Sequence, residues 1–341
     1  MKAMILNKSA ILLENGTPLS LVAIPIPKPK MGEVLIKIAA CGVCHTEIDE
    51  IEGRTPPAKY PIIPGHQVVG RIVENGEGSK KYNLNDRVGV AWIFSACGKC
   101  NFCLDGNENL CDDFLATGRD VNGGYAEYMI ANENFIFPIP NIFSDAEAAP
   151  LLCAGAVGYR SLHLTGLKNG QHLGLTGFGA SGHLVLKMAR FQYPDSKIYV
   201  FARSLTEQQF ALKLGADWAG DTIQCAPKKL HGIIDTTPAW KPVVEAVANL
   251  EKGGRLVINA IRKEDNDKEY LQNLSYTEHL WHEKEIKTVA NVTSLDVSEF
   301  LKLADRAGIK PVVEEFKLKD ANIALQQLRF QKIQGAKVIV F

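Results

Sequence analysis

The sequence lacks any excess of charge and any long apolar run. Its 38 Lys and Arg residues balance its 38 Asp and Glu residues, so nothing favours nucleic acid, an anionic membrane or a strongly acidic substrate as partner. No apolar run approaches the roughly 18 residues of a membrane span. Met1 to Asn7 also lacks the basic and apolar regions of a secretory signal. These absences predict a cytoplasmic globular protein.

The chain also lacks internal repeats, low-complexity tracts and long linkers, and its 341 residues are enough for two domains. Up to about Ala149, short β-like runs separated by Gly, Pro and Asn predict a β-rich half. From Pro150 to about Glu285, helix-length and strand-length segments alternate, which predicts an α/β domain with a parallel, doubly wound sheet. One continuous helix is expected over 146–164, and an apolar strand over 337–341.

Half of the eight cysteines fall in one short loop, Cys97-x-x-Cys100-x-x-Cys103-x7-Cys111. In a reducing compartment this spacing favours metal binding over disulfides. Four thiolates complete a tetrahedral zinc site and leave no open position, so this site is predicted to be structural. A nucleic-acid zinc ribbon is disfavoured, because residues 95–113 contain one basic residue, Lys99.

A second candidate metal site is the scattered set Cys44, His66 and Cys153. Two thiolates and one imidazole would leave a tetrahedral zinc with one open position, as catalysis requires. Taken singly, each residue is more readily explained as a buried thiol or a core histidine. The remaining cysteines, Cys41 and Cys225, are expected to be buried thiols.

The candidate metal ligands belong to a series of motifs that occur in a fixed order along the chain. These are Gly42-Val-Cys-His-Thr-Glu47, Pro64-Gly-His-Gln-Val-Val-Gly70, the four-cysteine loop and Asn122-Gly-Gly-Tyr-Ala-Glu-Tyr128. Over nearly its whole length the chain resembles the zinc-dependent medium-chain alcohol dehydrogenases, of the medium-chain dehydrogenase/reductase superfamily. The resemblance implies a GroES-like catalytic domain formed by 1–149 and 286–341, and a Rossmann domain over 150–285. It implies two zinc ions per chain: a catalytic one held by Cys44, His66 and Cys153, and a structural one held by the loop. A homotetramer or homodimer is also implied.

Gly177-x-Gly179-x-x-Gly182 follows a predicted strand and opens a predicted helix, the context expected of a dinucleotide site. Gly177 permits the tight turn, Gly179 lets the backbone approach the pyrophosphate, and Gly182 lets helix and strand pack closely. Together with Ala180 they form the predicted cofactor-binding turn. A glycine-rich turn without a ligand is the alternative.

Two further segments are predicted to contact the cofactor. His45 is expected to approach a cofactor phosphate. Where an NAD-selective site usually carries an acid, this chain has Arg203 and Ser204, which favours NADP over NAD because a guanidinium pairs with a 2′-phosphate. Arg203 could instead be a solvated surface residue.

The predicted reaction is the reversible oxidation of an alcohol to an aldehyde or ketone with NAD(P), through a zinc-bound alkoxide. The resemblance assigns the substrate proton to the hydroxyl of Thr46. Asp49 stands where relatives carry a histidine relay, and an aspartate relays protons only with a raised pKa or through water. Gln67 replaces a usual glutamate. Glu47 is expected to be only a first-turn acid favoured by the helix dipole.

Alternatives remain at the level of substrate and turnover. A polyol or sugar dehydrogenase would share the chemistry and differ in its pocket, for which Trp92 is a candidate wall and equally a candidate core residue. A low-turnover, NADP(H)-binding redox sensor is the alternative from a different class.

Overall fold

The computed structural model describes residues 1–331 and 335–341. The N-terminal part is built of short elements: β1 (Lys2–Leu6), β2 (Leu19–Ala23), β3 (Glu33–Val43), α1 (His45–Ile51), β4 (Val68–Asn75), β5 (Arg87–Val90), β6 (Ile93–Ser95), α2 (Asn101–Leu104), β7 (Leu115–Ala116), β8 (Tyr128–Asn132), β9 (Ile136–Pro138) and α3 (Asp145–Ala148).

Strands and helices then alternate, before a mixed C-terminal segment. These elements are α4 (Ala154–Thr165), β10 (Leu173–Thr176), α5 (Ala180–Gln192), β11 (Ile198–Phe201), α6 (Leu205–Lys213), β12 (Trp218–Gly220), β13 (Leu230–Asp235), α7 (Lys241–Ala248), β14 (Leu250–Ile258), β15 (Glu285–Thr288), α8 (Ser294–Ala307), β16 (Val313–Lys317), α9 (Ala321–Phe330) and β17 (Ala336–Val340).

The chain divides into two compact units. The first comprises Met1–Ala156 with Val292–Phe341, and the second is Val157–Asn291. The borders predicted from the sequence, near Ala149 and Glu285, fall a few residues earlier. No helix of the described part of the chain is long and apolar enough to cross a membrane.

The first unit is centred on β3, which pairs antiparallel with β4, β8 and β17. β3 is an almost continuous apolar run that is buried at most positions, and Ile36 pairs with Ile72 of β4 in a core where both are fully buried. Ile48 and Ile51 of α1 are buried in the same core. Burial of each large aliphatic side chain contributes about 1.5–3 kcal/mol, so this packing fixes the orientation of α1.

The second unit contains a parallel sheet in the order β12-β11-β10-β13-β14-β15. All residues of β10 and β11 are buried, as expected when helices cover both faces. The chain runs outward from β10 in one direction and from β13 in the other, so the strand order reverses between them. Ligands of doubly wound sheets bind at this reversal, and the predicted α/β fold is confirmed.

Two expectations about individual segments are wrong. The helix predicted over 146–164 is broken: α3 ends at Ala148, a 3₁₀ turn covers Ala149–Leu152, and α4 begins at Ala154. Pro150 lies in that turn, where its missing N–H is tolerated, and Cys153 has non-helical backbone angles of φ −129° and ψ −77°. Cys225 is exposed rather than buried.

Candidate active site

Three separate backbone features bring Cys44, His66 and Cys153 together. Cys44 precedes α1, His66 lies just before β4, and Cys153 occupies the break between the 3₁₀ turn and α4. Their ligand atoms all lie within 4.8 Å of one another. Thr46, in the first turn of α1, has its Oγ1 3.6 Å from Cys44 Sγ. Since Cys153 leaves the helical conformation at the site, the interrupted helix is part of how the cluster forms.

Glu47 is a site residue that sequence reasoning missed. Its side chain is fully buried, with Oε1 2.5 Å from His66 Nδ1. Its Oε2 accepts the backbone N–H of Cys44 at 2.7 Å. The prediction that Glu47 is only a first-turn acid is therefore incomplete. The signal was the Cys44-x-x-Glu47 spacing, which is that of a capping box, and the structure contains such a box.

The contact with Glu47 determines which His66 nitrogen faces the cluster. Because Nδ1 is directed at the carboxylate, Nε2 is left buried and without a hydrogen-bond partner in the described ranges. A carboxylate on one ring nitrogen orients the other toward a metal and raises its basicity. The orphaned Nε2 together with two sulfur atoms is a donor set that suits zinc.

The pKa values of the three clustered side chains are strongly shifted by one another, as expected where several ligand groups surround a metal position. A hydrogen bond with Cys153 holds the pKa of Cys44 well below its usual value, with further help from His66 against the effect of burial. The same hydrogen bond and burial raise the pKa of Cys153. Burial lowers the pKa of His66, but Glu47 and Cys44 outweigh burial and hold it well above its usual value. A metal ion would displace the protons shared by these groups.

Replacing Glu47 by Gln is expected to lower kcat/KM of the predicted alcohol oxidation about 10- to 100-fold, because the ring of His66 loses its anionic partner. Zinc affinity should fall by a similar factor, measured by competition with a chelator. Glu74→Gln makes the same chemical change at an exposed position of β4 and should match the wild type. Equal activity and zinc affinity in Glu47→Gln and Glu74→Gln would show that Glu47 does not position His66.

Three residues that the sequence placed around the reaction site have surroundings that bear on their predicted roles: Asp49, Gln67 and His45. Asp49 is buried, and its Oδ1 accepts the Nε–H of Arg54 at 2.7 Å, so proton relay through Asp49 would have to disturb this ion pair. Gln67 is buried against Gly42, where an added Cβ would lie 2.8 Å from the Gln67 amide oxygen. His45, at the start of α1, is exposed.

Glu50 is a second residue that sequence reasoning missed. It is 1% exposed, and its carboxylate interacts with the indole N–H of Trp92. Burial raises its pKa well above the usual value, and Glu47 adds to this, whereas His66, Trp92 and Arg119 act in the opposite direction. The guanidinium of Arg119 lies 4.9 Å from the centre of the Trp92 ring.

The four-cysteine loop forms the second cluster. The sulfur atoms of Cys97, Cys100, Cys103 and Cys111 lie within 4.8 Å of one another. Backbone N–H groups of Lys99 and Cys100 lower the pKa of Cys97 to about 6, so at neutral pH this residue is mainly the thiolate that metal binding requires. Four sulfur ligands match a closed tetrahedral zinc site. The loop is tied to its own unit by Glu108, whose Oε1 accepts the Ser294 N–H at 2.7 Å.

The glycine turn of the second unit has the geometry of a phosphate-binding turn. Gly177 has φ +77°, and a Cβ there would lie 2.7 Å from Thr236 Oγ1. A Cβ at Gly182 would lie 2.8 Å from Gly177 O, whereas no described atom lies within 4 Å of a Cβ at Gly179. The backbone at Gly179 is therefore open to a close ligand. Ala180 begins α5, whose N-terminal amides and dipole favour an anion.

Of the residues near this turn, some are exposed and others are already hydrogen-bonded to protein groups. Arg203 is exposed, while Ser204 caps α6 by accepting the Glu207 N–H at 3.2 Å. Sequence reasoning missed Asp235, which is buried at the end of β13 and accepts the Thr176 hydroxyl at 2.5 Å. Asp235 forms an ion pair with Lys263. The Thr176–Asp235 hydrogen bond links β10 and β13 at the strand reversal, and no local pattern indicates this long-range contact.

A sulfur-and-imidazole site with one open position, in a chain that also has a Rossmann unit, is the arrangement of a metal-dependent nicotinamide dehydrogenase. Residues 30–141 match the alcohol dehydrogenase GroES-like domain family. The chain is 38% identical over 328 residues to a probable alcohol dehydrogenase AdhA of Mycobacterium tuberculosis, covering 95% of this chain and 93% of that protein. An alcohol dehydrogenase of Geobacillus stearothermophilus is 33% identical over 343 residues, covering 97% and 98%.

Among solved structures, the Helicobacter pylori CAD complexed with NADP(H) is similar to the chain with a TM-score of 0.84 and 25% identity, over 100% of this chain and 99% of that one. The chain therefore belongs to the zinc-type medium-chain alcohol dehydrogenase family. It is an oxidoreductase that acts on alcohols with a nicotinamide cofactor. The prediction of family, fold class and reaction type from sequence is confirmed.

Proposed function

We propose that the chain oxidises an alcohol reversibly to an aldehyde or ketone at the cluster of Cys44, His66 and Cys153, which holds a catalytic zinc ion. The observation that carries this proposal is the buried, unpartnered Nε2 of His66 beside two cysteine sulfur atoms. A second, structural zinc belongs to the four-cysteine loop. When bound at the open site, zinc supplies a Lewis acid that stabilises negative charge on the substrate oxygen.

The chain's own residues orient the reactants and carry the proton. Glu47 fixes the His66 ring, and the two thiolates reduce the net charge of the site. The hydroxyl of Thr46, 3.6 Å from Cys44 Sγ, accepts the substrate proton and passes its own onward. Because the Asp49 carboxylate is paired with Arg54, we propose that water rather than Asp49 takes the proton from there.

A panel of primary and secondary alcohols, assayed with NADP and NAD in parallel, tests this function. We expect turnover of several alcohols and reduction of the matching aldehydes or ketones. A redox sensor with an empty catalytic site would bind cofactor but would not turn over any alcohol. Absence of turnover by zinc-replete protein would therefore contradict the proposal.

NADP is proposed as the preferred cofactor, held by Gly177, Gly179, Ala180 and Gly182 of the turn, with Arg203 and Ser204 at the ribose end. His45 is proposed as a further phosphate contact. Support comes from the open backbone at Gly179 and from the absence of an acidic residue in the segment 202–204.

Replacing Arg203 by Ala is expected to lower kcat/KM for NADP about 10- to 100-fold, because a charged hydrogen bond contributes about 1.5–3 kcal/mol. The value for NAD should change little. Lys213→Ala, which removes an exposed cation at the other end of α6, serves as the control and should change neither value. Wild-type efficiency with NAD equal to or above that with NADP would contradict the proposed preference.

A homo-oligomer, either a dimer or a tetramer, is also proposed. In the second unit, β15 is the last strand of the sheet, and all four of its residues are exposed. Near it in sequence, Tyr276 and Trp281 are 63% and 51% exposed. An open sheet edge beside exposed aromatic residues favours pairing with a second copy. A molar mass equal to that of one chain, measured by light scattering on the purified protein, would contradict the proposed oligomer.

A cytoplasmic location is proposed because metal-binding thiols persist in a reducing compartment. All eight cysteines are free of disulfides. Cell fractionation with an antibody to the chain would test this, and enrichment in a secreted fraction would contradict it.

A further inference from the structure

Asn259, which directly follows β14, has a side-chain amide whose orientation is fixed by its neighbours. Its Nδ2 donates to Ser161 Oγ at 2.9 Å and to Ser181 Oγ at 3.3 Å. The hydroxyl of Ser161 donates its own hydrogen to the carbonyl oxygen of Val157 at 2.6 Å, so its oxygen can only accept from Asn259. The amide nitrogen must therefore face the two serines, and the amide oxygen must face away from them.

The amide oxygen of Asn259 is left as an open acceptor. No donor in residues 1–331 or 335–341 reaches Oδ1. The residue is only half-buried, and Oδ1 does not belong to the buried side-chain atoms that lack a partner, so the oxygen is accessible. The backbone is held as well, because the N–H of Asn259 donates to Asp235 O at 2.8 Å. An accessible acceptor held in one orientation is preorganised for a ligand that donates a hydrogen bond.

The position of Asn259 in the second unit relates it to one half of the cofactor. Its partner Ser181 lies in the first turn of α5, directly after Ala180 of the glycine turn. A dinucleotide crosses the carboxyl ends of the strands at the strand reversal. Its adenosine half is proposed to lie on the β11 side, at Arg203, so its nicotinamide half extends over β13 and β14.

The distance across the sheet indicates which part of the nicotinamide half reaches this residue. β14 lies two strands from β10, which is about 10 Å across the sheet. The glycine turn follows β10 and is proposed to hold the pyrophosphate, and the ribose is bonded directly to the pyrophosphate. The nicotinamide ring is therefore the group that lies near the end of β14, and the donor that this ring carries is its carboxamide N–H.

We propose that Asn259 binds the nicotinamide cofactor, with Oδ1 accepting a hydrogen bond from the carboxamide of the nicotinamide ring. This bond holds the ring in one orientation about its bond to the ribose, so that one face of the ring is presented for hydride transfer. The two serines act indirectly by keeping the amide of Asn259 turned toward the ring. The inference rests on the proposed cofactor site and adds to it a side chain that binds the nicotinamide half.

Two cofactors that differ only at this group test the inference: the natural cofactor and its 3-acetylpyridine analogue, whose acetyl group keeps the carbonyl but has no N–H. Isothermal titration calorimetry gives both dissociation constants, in whichever form the wild type binds more tightly, with or without the 2′-phosphate. We expect the wild type to bind the natural cofactor about 3- to 10-fold more tightly than the analogue, the effect of one neutral hydrogen bond. In Asn259→Leu the ratio of the two dissociation constants should fall to about one.

The ratio separates recognition from a structural role, because a merely distorted site weakens both compounds alike. Asn259→Ala is a smaller replacement that should give the same result if the leucine variant does not fold. The matched control is Asn169→Leu, at an exposed loop position before β10, where Nδ2 donates to Asp195 Oδ2 at 2.6 Å. It should keep the wild-type ratio.

Two results would overturn the inference: a ratio near one in the wild type, or a wild-type ratio that persists when Asn259 is replaced. Either result leaves the proposed cofactor site intact, since the natural cofactor still binds. Failure of the wild type to bind either compound would instead contradict the proposed cofactor site itself, so the two failures are distinguishable.

Discussion

Replacing Cys44 by serine is expected to lower kcat/KM for alcohol oxidation by about three orders of magnitude or more. The change removes one of two sulfur ligands and leaves a hydroxyl that binds zinc weakly. Loss of Lewis-acid stabilisation worth several kcal/mol corresponds to an effect of this size. Steady-state kinetics on zinc-replete protein would measure it.

The control for Cys44→Ser is Cys225→Ser. Cys225 is exposed and belongs to neither cysteine cluster, so its replacement changes the thiol count without touching a metal site. It should retain wild-type activity. Both variants should keep the unfolding midpoint close to that of the wild type, because the four-cysteine loop is intact. Wild-type activity in Cys44→Ser would show that the reaction does not use this cluster.

Replacing Cys100 by serine is expected to have its main effect on stability. The loop from Cys97 to Cys111 contains only a short α-helix and a 3₁₀ turn, and neither the helix nor the turn has a buried residue, so it has little core of its own. Losing a structural metal is among the few single changes that cost more than about 4–5 kcal/mol. We expect the unfolding midpoint of the first unit to fall by roughly 10–20 °C.

The activity of Cys100→Ser distinguishes a structural role of the four-cysteine loop from a catalytic one. Below its new midpoint, Cys100→Ser should still oxidise alcohols, since Cys44, His66 and Cys153 are unchanged. Thermal unfolding followed by circular dichroism, with activity measured at low temperature, would check both effects. An unchanged midpoint would contradict a structural metal in this loop.

The features that the sequence indicated most directly are local motifs. The spacing of Cys97, Cys100, Cys103 and Cys111 follows from loop geometry within one short segment, so the sequence alone indicated that cluster. The glycine turn at Gly177 is equally local. For such features the ligand atoms are brought together by turns that the sequence itself encodes.

The scattered site was harder to predict because distant segments build it. Cys153 reaches the cluster only because the chain leaves the helical conformation there, although the surrounding residues suggested an unbroken helix. Glu47 occupies a position common to acids that only stabilise a helix start, and its contact with His66 depends on where the segment before β4 lies relative to α1. Tertiary packing of this kind is not encoded in a local pattern.

Glu50 was missed for a related reason. A charged residue in a seven-residue helix is expected to face solvent, yet every residue from Thr46 to Ile51 is buried, so α1 is covered on all of its faces. Cys225 is the converse case: its neighbours gave no reason to expect an exposed thiol. Burial depends on which elements cover a residue, so single positions are predicted least well.

The central claim is that Cys44, His66 and Cys153 hold the metal ion that the reaction requires, and zinc content measured together with alcohol turnover tests it most directly. Elemental analysis of the purified wild type should find about two zinc ions per chain, one for each cluster. Cys44→Ser should contain about one and should have lost alcohol turnover. Two zinc ions in that variant, or one in a wild type that oxidises alcohols at full rate, would contradict the claim.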